Sequence, residues 1–386
     1  MNYLCNEAMI KKLDQVTQNA ISENRIVGSV VLVAHQGQLV YQKAAGLADR
    51  ENNQIMSENA IFLLASLTKP MVSVAAMKLI EEEKLSLNDP VTKYLPAFRP
   101  KMIDGSTPDM TIFQLLTHTA GLSYSFWEAN GIGPYNQAEI SDGFDKLGIS
   151  LEENLNRLQQ APLLFQPGSS WCYSLALDVL GAIMSIAVNE SLPQIIHSRV
   201  TKPLGLRDTG FSVTNKTRLN AHYTDAAPQP ERMRQYAQVQ LPESWGSGMV
   251  RFAPERIFDS ASYPSGGAGM AGTAPDFMRF LLALTRKNGA ILPANTVDQM
   301  MFPQVSAQAQ TQGPGWGFGF GWAVLDDPQL AQTPQSKGTI QWGGVYGHTW
   351  FYDPVQDIAV VTLTNTAVEG MAGMYPVQIR DAVYGL

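Results

Sequence analysis

The stretch Phe62-Leu-Leu-Ala-Ser-Leu-Thr-Lys-Pro-Met-Val-Ser73 places a serine and a lysine three positions apart, where an apolar strand-like run becomes a helix. Residues i and i+3 of a helix share a face, so the Ser66 hydroxyl and the Lys69 amine can touch. Ser66 falls in the predicted first turn, where backbone N–H groups lack helical partners and the helix dipole is positive. The pattern therefore predicts a serine nucleophile with a basic neighbour.

Spacing alone does not establish a catalytic pair. Ser66 is the only serine with a lysine three positions on, but about one such pair is expected by chance at this composition. The alternative is a buried serine at a helix start, beside a lysine whose aliphatic stem lies along apolar surface. The other motifs of the chain must decide between these two interpretations.

Composition narrows the class of protein. The 386 residues are 45% hydrophobic and 16% charged, which is typical of a globular protein with a large core. The net charge of −7 and the scattered basic residues argue against nucleic acid as a partner. The longest apolar run, 179–188, contains Gly181 and Ser185 and is too short to span a membrane. The amphipathic N-terminus lacks the apolar core of a secretion signal, so we expect a cytoplasmic protein.

No motif predicts a metal or a cofactor. The five histidines are dispersed, and neither a CxxC nor an HExxH pattern occurs. The two cysteines, Cys5 and Cys172, do not form a disulfide framework, and Cys172 is expected to be a small buried apolar residue. The segment GAGMAG (267–272) matches G-x-G-x-x-G, but it follows no Val/Ile-rich strand and no acidic residue stands about 20 positions on. We therefore interpret it as a tight turn near a pocket.

The order of the predicted elements indicates an α+β fold. Predicted strands lie near both ends of the chain, at 28–35, 38–42, 318–325, 339–342, 348–353 and 358–364, and helices lie mainly between them. The economical architecture is one antiparallel sheet flanked by terminal helices. We predict a sheet domain of 1–64 and 300–386, a mainly helical and loop domain of 65–299, and an active site at their junction.

Two further segments contain residues suited to acyl chemistry. Tyr173 stands where a turn becomes a helix, and beside a cation it could exchange a proton, although an aromatic that only packs there is the alternative. Trp342-Gly-Gly-Val-Tyr-Gly-His348 follows a strand, and its glycines let the backbone approach a ligand. An N–H of this edge could complete an oxyanion hole with that of Ser66, and a β-bulge is the alternative.

The sequence does not indicate a Ser–His–Asp triad. No G-x-S-x-G nucleophile turn occurs in the chain. We expect His118, in a short apolar helix capped by Thr111, to be a hydrogen-bonded structural residue. The role of His348, near the proposed oxyanion strand, stays open. The run GPGWGFGFGW (313–322) suits a tightly packed strand entry better than a sugar-binding face.

Taken together, these motifs resemble those of the serine β-lactamase and penicillin-binding-protein superfamily, especially its class C branch. Ser66-Leu-Thr-Lys69 is similar to its S-x-x-K, Tyr173-Ser-Leu175 to its Y-x-N, and Trp342-Gly-Gly to its K-T-G. Leu175 replaces the amide residue and Trp342 replaces the lysine, and both changes resemble the family VIII carboxylesterases. The resemblance covers nearly the whole chain and implies a β-lactamase/transpeptidase-like fold.

The resemblance also implies a role for each matching residue. Ser66 would be the acylated nucleophile, and Lys69 and Tyr173 would be the proton-transfer pair, with the first base left open. The N–H groups of Ser66 and Val345 would hold the oxyanion. The substrate pocket would be formed by Tyr124, Trp342, Gly343 and Gly344.

The resemblance implies a serine carboxylesterase that hydrolyses short-chain acyl esters and needs no cofactor. An apolar Trp342 removes the cationic partner of a β-lactam or peptide carboxylate and so favours uncharged esters. The alternatives are a β-lactamase or D-Ala-directed peptidase, an acyltransferase that uses the same acyl-enzyme, and a non-catalytic ligand sensor. A small-molecule ester is the expected partner, and the sequence leaves the oligomeric state open.

Overall fold

The computed structural model describes residues 7–241, 243, 246–287 and 289–386. Its strands, in chain order, are β1 (Gly28–His35), β2 (Gln38–Asp49), β3 (Gln54–Ile55), β4 (Phe62–Leu63), β5 (Tyr223–Thr224), β6 (Glu231–Arg232), β7 (Ala237–Gln240), β8 (Met249–Phe252), β9 (Ala271–Gly272), β10 (Trp316–Phe318), β11 (Ala323–Leu325), β12 (Ile340–Gly344), β13 (His348–Asp353) and β14 (Ile358–Thr364).

The helices are α1 (Glu7–Ser22), α2 (Thr68–Glu81), α3 (Ile112–Leu116), α4 (Pro134–Gln137), α5 (Leu151–Leu158), α6 (Ala176–Val188), α7 (Leu192–Ile196), α8 (Lys202–Leu204), α9 (Ala274–Thr285), α10 (Ala294–Met301), α11 (Glu369–Ala372) and α12 (Met374–Tyr384). A π-helical turn, His197–Thr201, joins α7 to α8.

One eight-stranded antiparallel sheet contains strands from both ends of the chain, in the order β10-β11-β12-β13-β14-β1-β2-β3. The two ends meet where β1 pairs with β14, from Ser29 opposite Thr364 to His35 opposite Ile358. Every side chain of β14 is buried, as expected for a central strand covered on both faces. The predicted α+β architecture, with one antiparallel sheet built from both ends of the chain, is confirmed.

Helices cover both faces of the sheet. On one face, α1 and α12 pack against each other and form a core with alternate side chains of β1 and β14, including Val31, Val33 and Val360. On the other face, α9 packs against β1 and β14. The intervening side chains Val30, Leu32 and Val361 point to that second, larger core. Successive residues of a strand point to opposite faces, so these apolar runs serve two cores.

Some predicted elements differ in the structure. The single strand predicted at 318–325 is wrong, because Gly319 and Gly321 open a turn that separates β10 from β11. Gly319 N–H donates to Trp322 O at 2.9 Å, and Gly321 takes a φ of +100°. Glycine adopts that conformation without a Cβ clash. The region 205–270, predicted as loop, contains the short pairs β5–β6 and β7–β8. Helix α10 was not predicted.

The first hairpin, α1 and the Thr111 cap of α3 are confirmed, the last by a reciprocal capping box with Gln114. The division into a sheet domain and a helical domain stays a prediction. Within the described ranges no single helix has the length and apolarity to cross a membrane. The helical segments Ala176–Val188 and Leu192–Leu204 meet the criteria of length and composition only when they are taken together, and the chain bends by 83° between them.

Candidate active site

Ser66 follows a constrained turn between two short elements. Strand β4 pairs with β9, and a 3-10 turn, Ala65–Leu67, then leads into α2. Ala65 has a φ of +45°, a left-handed conformation that is costly for a residue with a Cβ. Ser66 therefore lies one short turn before α2, not within its first α-helical turn as predicted. The turn leaves Ser66 partly exposed between buried Ala65 and Leu67.

Lys69 is fully buried beneath Ser66. Its Nζ lies 3.3 Å from Ser66 Oγ and donates to Gly267 O at 2.8 Å. The same ammonium stands 4.5 Å from the ring centre of Tyr173 and 5.3 Å from that of Tyr124. Aromatic faces attract a cation more strongly when both are desolvated. The lysine is therefore held by polar and aromatic contacts, and it is not extended toward solvent.

Tyr173 completes the group of residues around Ser66. Its Oη donates to Ser66 Oγ at 2.5 Å, a short hydrogen bond between two hydroxyls. The Trp127 indole N–H donates to Tyr173 O at 3.0 Å, and the Trp342 indole N–H reaches Tyr173 Oη at 3.4 Å. The structure thus brings the predicted Lys69 and Tyr173 each within hydrogen-bond distance of Ser66 Oγ.

Aromatic side chains surround Tyr173. Trp342 is only 7% exposed, and its ring centre lies 5.0 Å from that of Tyr173 and 5.3 Å from that of Phe318. Tyr124 stacks on Phe126 at 4.6 Å and lies 5.1 Å from Tyr173. The structure therefore places both predicted pocket residues, Trp342 and Tyr124, against Tyr173, which contacts Ser66.

The loop that carries Tyr124 is fixed by a buried carboxylate. Asp142 accepts the Ser125 N–H at 2.8 Å and the Ser125 hydroxyl at 2.5 Å. Burial raises the pKa of Asp142 to about 8, with a further contribution from neighbouring Asp145. Since Ser125 follows Tyr124 directly, these two hydrogen bonds set where the tyrosine ring lies.

Strand β12, which lies between β11 and β13 in the sheet, approaches the segment around Ser66 closely. A Cβ on Gly344 would lie 2.6 Å from Leu64 O, and one on Gly343 would lie 2.7 Å from Met371 Cγ. Only glycine permits this packing. The register of β12 against β13 is unbroken from residue 340 to residue 344, so the alternative of a β-bulge is wrong. Among the described residues, no hydrogen-bond acceptor faces the N–H of Ser66 or of Val345.

The two histidines near the site are neutral structural residues. His118 Nδ1 accepts the Ser174 N–H at 3.2 Å, and burial, followed by the charge of Lys69, holds its pKa well below 6.5. His348 Nε2 donates to Leu63 O at 2.8 Å, and burial lowers the pKa of His348 to about 4. The prediction that His118 is a hydrogen-bonded structural residue is confirmed, but its place within the short helix is wrong, because α3 ends at Leu116 and His118 has a φ of +56°. His348 supports the strand that leads to Ser66.

Sequence reasoning missed two residues that touch the site. Gly267 supplies the carbonyl that holds Lys69, and Trp127 anchors the main chain at Tyr173. The signal for Gly267 was the GAGMAG segment, which was predicted to be a turn near the pocket wall, without a specific contact. No periodicity marks Trp127, because it lies in a loop whose path depends on distant packing.

Among the described residues, the remaining reactive groups do not form a second centre. Burial raises the pKa of the Cys172 thiol to about 11, as expected for an inert thiol. Cys5 lies outside the described residues. In the part of the chain that the structure describes, no group of three or more His, Cys, Asp or Glu side chains could hold a metal ion.

The comparison with known proteins agrees with this geometry. The model of the family described as Beta-lactamase matches residues 9–383. The chain belongs to this family. Esterase EstB of Burkholderia gladioli is 49% identical over 378 residues, which are 98% of this chain and 95% of that protein. The predicted similarity to a carboxylesterase of this superfamily is therefore confirmed.

Solved structures give the same result. The structure described as EstCE1, a hydrolase with promiscuous acyltransferase activity, aligns with a TM-score of 0.95 and 49% identity, covering 98% of this chain and 99% of that one. An unliganded simvastatin synthase from Aspergillus terreus aligns with a TM-score of 0.76 at 20% identity, over 98% and 99% of the two chains. The second likeness concerns the fold alone. The chain is thus a serine hydrolase of the β-lactamase fold with esterase relatives.

Proposed function

We propose that this protein is a serine carboxylesterase that hydrolyses short-chain acyl esters through an acyl-enzyme on Ser66. The observation that carries this proposal is the Ser66 hydroxyl, within hydrogen-bond distance of both Tyr173 Oη and Lys69 Nζ. A nucleophile, a base and a group that orients the base are the elements of covalent catalysis by serine. The 49% identity to an esterase supports ester hydrolysis as the reaction.

Acylation begins at Ser66 Oγ. Its O–H bond breaks as the oxygen bonds to the ester carbonyl carbon, and the proton moves to the pair formed by Lys69 and Tyr173. The developing oxyanion is stabilised by the N–H groups of Ser66 and Val345, which face no acceptor among the described residues. When the tetrahedral intermediate collapses, the carbon–alkoxy bond breaks. The pair returns its proton to the leaving alcohol, so it holds no net proton after the step.

Deacylation repeats these steps with water. The pair takes one proton from a water molecule whose oxygen bonds to the acyl carbon. The bond from that carbon to Ser66 Oγ then breaks, and Ser66 regains its proton from the pair. The product is a carboxylic acid, and the enzyme returns to its starting state. Both steps use one pair as base and then as acid, as expected when its proton affinity suits the working pH.

Trp342 favours uncharged substrates. Its indole offers one N–H, which already points to Tyr173, and otherwise an apolar surface. A substrate carboxylate at this position would lose its hydration without gaining an ion pair. The geometry therefore favours neutral esters over β-lactams and D-Ala peptides. Acyl transfer uses the same acyl-enzyme and differs only in the acceptor.

The first test identifies the nucleophile. We expect an organophosphonate inhibitor to add one adduct on Ser66, located by mass spectrometry of peptides. Ser66→Ala should lower turnover of a chromogenic acetate ester by about 10⁴-fold or more, because single losses in a catalytic group are that severe. Circular dichroism should show a folded variant. Ser170→Ala, in the exposed loop before Tyr173, is the matched control and should keep full activity.

The same assay separates the alternatives. An adduct on Ser170 or Ser265 would overturn the assignment, and a folded protein without ester turnover would favour a ligand sensor. A panel from acetyl to decanoyl esters would set the chain-length preference. A chromogenic cephalosporin would measure β-lactam turnover, and a competing alcohol would measure acyl transfer. A cytoplasmic location stays a prediction from the sequence.

A further inference from the structure

Asp178 is a buried carboxylate in the active-site region to which the proposed mechanism gives no role. It lies in the first turn of α6, five positions after Tyr173, and it is only 2% exposed. Among the described residues its Oδ2 has no hydrogen-bond partner. An ionised carboxylate in such a place is costly unless a positive charge compensates it. Its position therefore calls for a nearby cation.

The compensating cation is Lys69, and Gly267 connects the two residues. Gly267 N–H points to Asp178 Oδ1 at 3.5 Å, while Gly267 O accepts from Lys69 Nζ at 2.8 Å. The aspartate and the lysine thus hold the same residue from opposite ends of its main chain. Displacement of the Gly267 carbonyl would release the ammonium from its position below Ser66.

The space around the Gly267 Cα brings the same groups together. A Cβ there would lie 2.9 Å from Asp178 Oδ2, 3.1 Å from Tyr124 Oη and 3.4 Å from Lys69 Nζ. A carboxylate oxygen and an ammonium nitrogen therefore face one small space with a phenol. Because helices α2 and α6 pack against each other, this space is closed by the two helices that carry Lys69 and Asp178.

We propose that Asp178 is a positioning residue for the reaction, which holds Lys69 below Ser66 through Gly267 and stabilises its ammonium form. This inference rests on the proposed function. In the reactive form Lys69 is a neutral amine. During acylation this amine takes up the proton that leaves Ser66 Oγ, either directly or through Tyr173, and positive charge then rests on Lys69. The Asp178 carboxylate stabilises that charge in a site shielded from water, where Coulomb attraction is stronger than in solvent. When the proton leaves with the alcohol, Lys69 is a neutral amine again.

Other charged and titratable groups surround this pair. Burial raises the pKa of Asp178, and the Ser265 side chain and then the charge of Lys69 oppose that rise. The groups that face the pair from neighbouring elements are His118, Tyr124, Tyr173, Arg256 and Tyr263. His118 is neutral, and burial keeps Tyr124 and Tyr263 protonated by raising the pKa of each well above 10. Asp178 is therefore the carboxyl group of this set, and the charge of Lys69 favours its ionised form.

The decisive variant is Asp178→Asn, which keeps an oxygen for the Gly267 N–H and removes the charge. We expect kcat to fall about tenfold while KM changes less than about twofold, because Asp178 does not touch the substrate. The acidic limb of the kcat/KM profile should move to lower pH by about one unit, since loss of a nearby anion weakens the base. Asp276→Asn is the matched control.

The control carboxylate is similar in burial but remote from Lys69. Asp276 is 8% exposed, lies in the first turn of α9 and accepts from Asp208 N–H at 2.9 Å and Thr209 Oγ1 at 3.0 Å. Its replacement by asparagine should lower thermal stability and leave the pH limb in place. If the acidic limb of the kcat/KM profile moves equally in Asp178→Asn and Asp276→Asn, the shift is a general effect of losing a negative charge, and the proposal is overturned.

A second variant, Gly267→Ala, tests the geometry without removing a charge. Gly267 does not have a positive φ, so its backbone accepts alanine, but the methyl group would push Asp178 and Lys69 apart. We expect lower kcat with KM nearly unchanged. Gly210→Ala is its control, because Gly210 pairs with Ala271 of the same segment and a Cβ there meets nothing within 4 Å.

The outcomes separate this inference from the proposed function. An inhibitor adduct on Ser66, together with a wild-type pH limb in Asp178→Asn, overturns the role of Asp178 alone. An adduct on another residue overturns the proposed function. If Asp178→Asn fails to fold, an unchanged kcat in Gly267→Ala overturns the inference. If neither variant folds, Asp178 is a structural support and the proposal is wrong.

Discussion

The two sides of Ser66 differ in chemistry. On one side Lys69, Asp178 and the Gly267 carbonyl form a buried charged group, and on the other Trp342 and Phe318 form an aromatic wall. Tyr173 lies between them and contacts both, since its ring lies under Lys69 and its Oη faces the Trp342 indole. In the proposed mechanism the charged side moves the proton, and the aromatic side selects the substrate. Changes on the two sides should therefore alter different kinetic constants.

The largest effect is expected on the charged side, from Lys69→Ala and Tyr173→Phe. Each single change should lower kcat by about three orders of magnitude or more, and the double change should cost little beyond the larger single loss. Residues that act as one unit show this lack of additivity. The measurement is kcat for one acetate ester in the wild type, both single variants and the double variant.

Two results would contradict that prediction. Losses that add fully would mean that Lys69 and Tyr173 act in separate steps. A Tyr173→Phe variant with full turnover would mean that the 2.5 Å contact to Ser66 is structural. Trp127→Phe, which removes the indole N–H that binds Tyr173 O, is a suitable control. It should cost far less than either change in the pair, because Trp127 acts only through the main chain.

The sheet could be predicted because its strands have strong local signals. Strands β1, β13 and β14 are rich in apolar residues and bounded by turn residues, and these two signals together define where each strand begins and ends. The break between β10 and β11 could not be predicted, because glycine-rich strands and glycine turns look alike in sequence. The pairs β5–β6 and β7–β8 lie in a segment where proline and glycine indicate loop, and tertiary contacts decide their pairing.

The residues of the candidate site also fall into two groups, those that the sequence predicts and those that it does not. Ser66, Lys69, Tyr173 and Trp342 belong to motifs with spacing that a sequence shows. Gly267 and Asp178 come within reach of Lys69 only through the packing of α2 against α6 and of the 267–270 turn against both. Contacts between residues about 90 to 200 positions apart follow from the assembled fold, and no local pattern encodes them.

A smaller effect is expected on the aromatic side, from Trp342→Lys. It should lower kcat/KM for a neutral acetate ester, because the ester loses an apolar wall. It should raise relative activity on a carboxylate-bearing cephalosporin by up to about tenfold, since a partly exposed ion pair adds on the order of 1 kcal/mol. The measurement is kcat/KM for both substrates in the wild type and the variant.

Trp342→Phe is the control for that change. It keeps an apolar ring and removes the indole N–H that reaches Tyr173, so it should retain the preference for the neutral ester. An ester-to-cephalosporin preference that is the same in Trp342→Lys as in the wild type would show that Trp342 does not select the substrate. The aromatic side would then serve only to place Tyr173.

The smallest expected effect is a loss of folding stability at low pH, caused by His348. This buried residue donates from its Nε2 to Leu63 O. Burial lowers the pKa of His348 to about 4, below the ordinary value of 6.5 in an unfolded chain. Because the folded pKa is depressed, the neutral imidazole contributes stability above about pH 6.5, and this contribution is lost as pH falls toward 4. Between pH 7.5 and 5.0 the loss from this residue should be on the order of 2 kcal/mol.

Urea unfolding at these two pH values would measure that loss. His348→Gln keeps an amide donor for Leu63 O but cannot take up a proton, so its free energy of unfolding should fall less between pH 7.5 and 5.0 than that of the wild type. Exposed His197→Gln should retain the wild-type difference. Equal differences in all three proteins would show that His348 does not titrate on unfolding. The acid sensitivity of the fold would then have to come from other groups, such as buried His222, whose pKa is lowered to about 3 by burial.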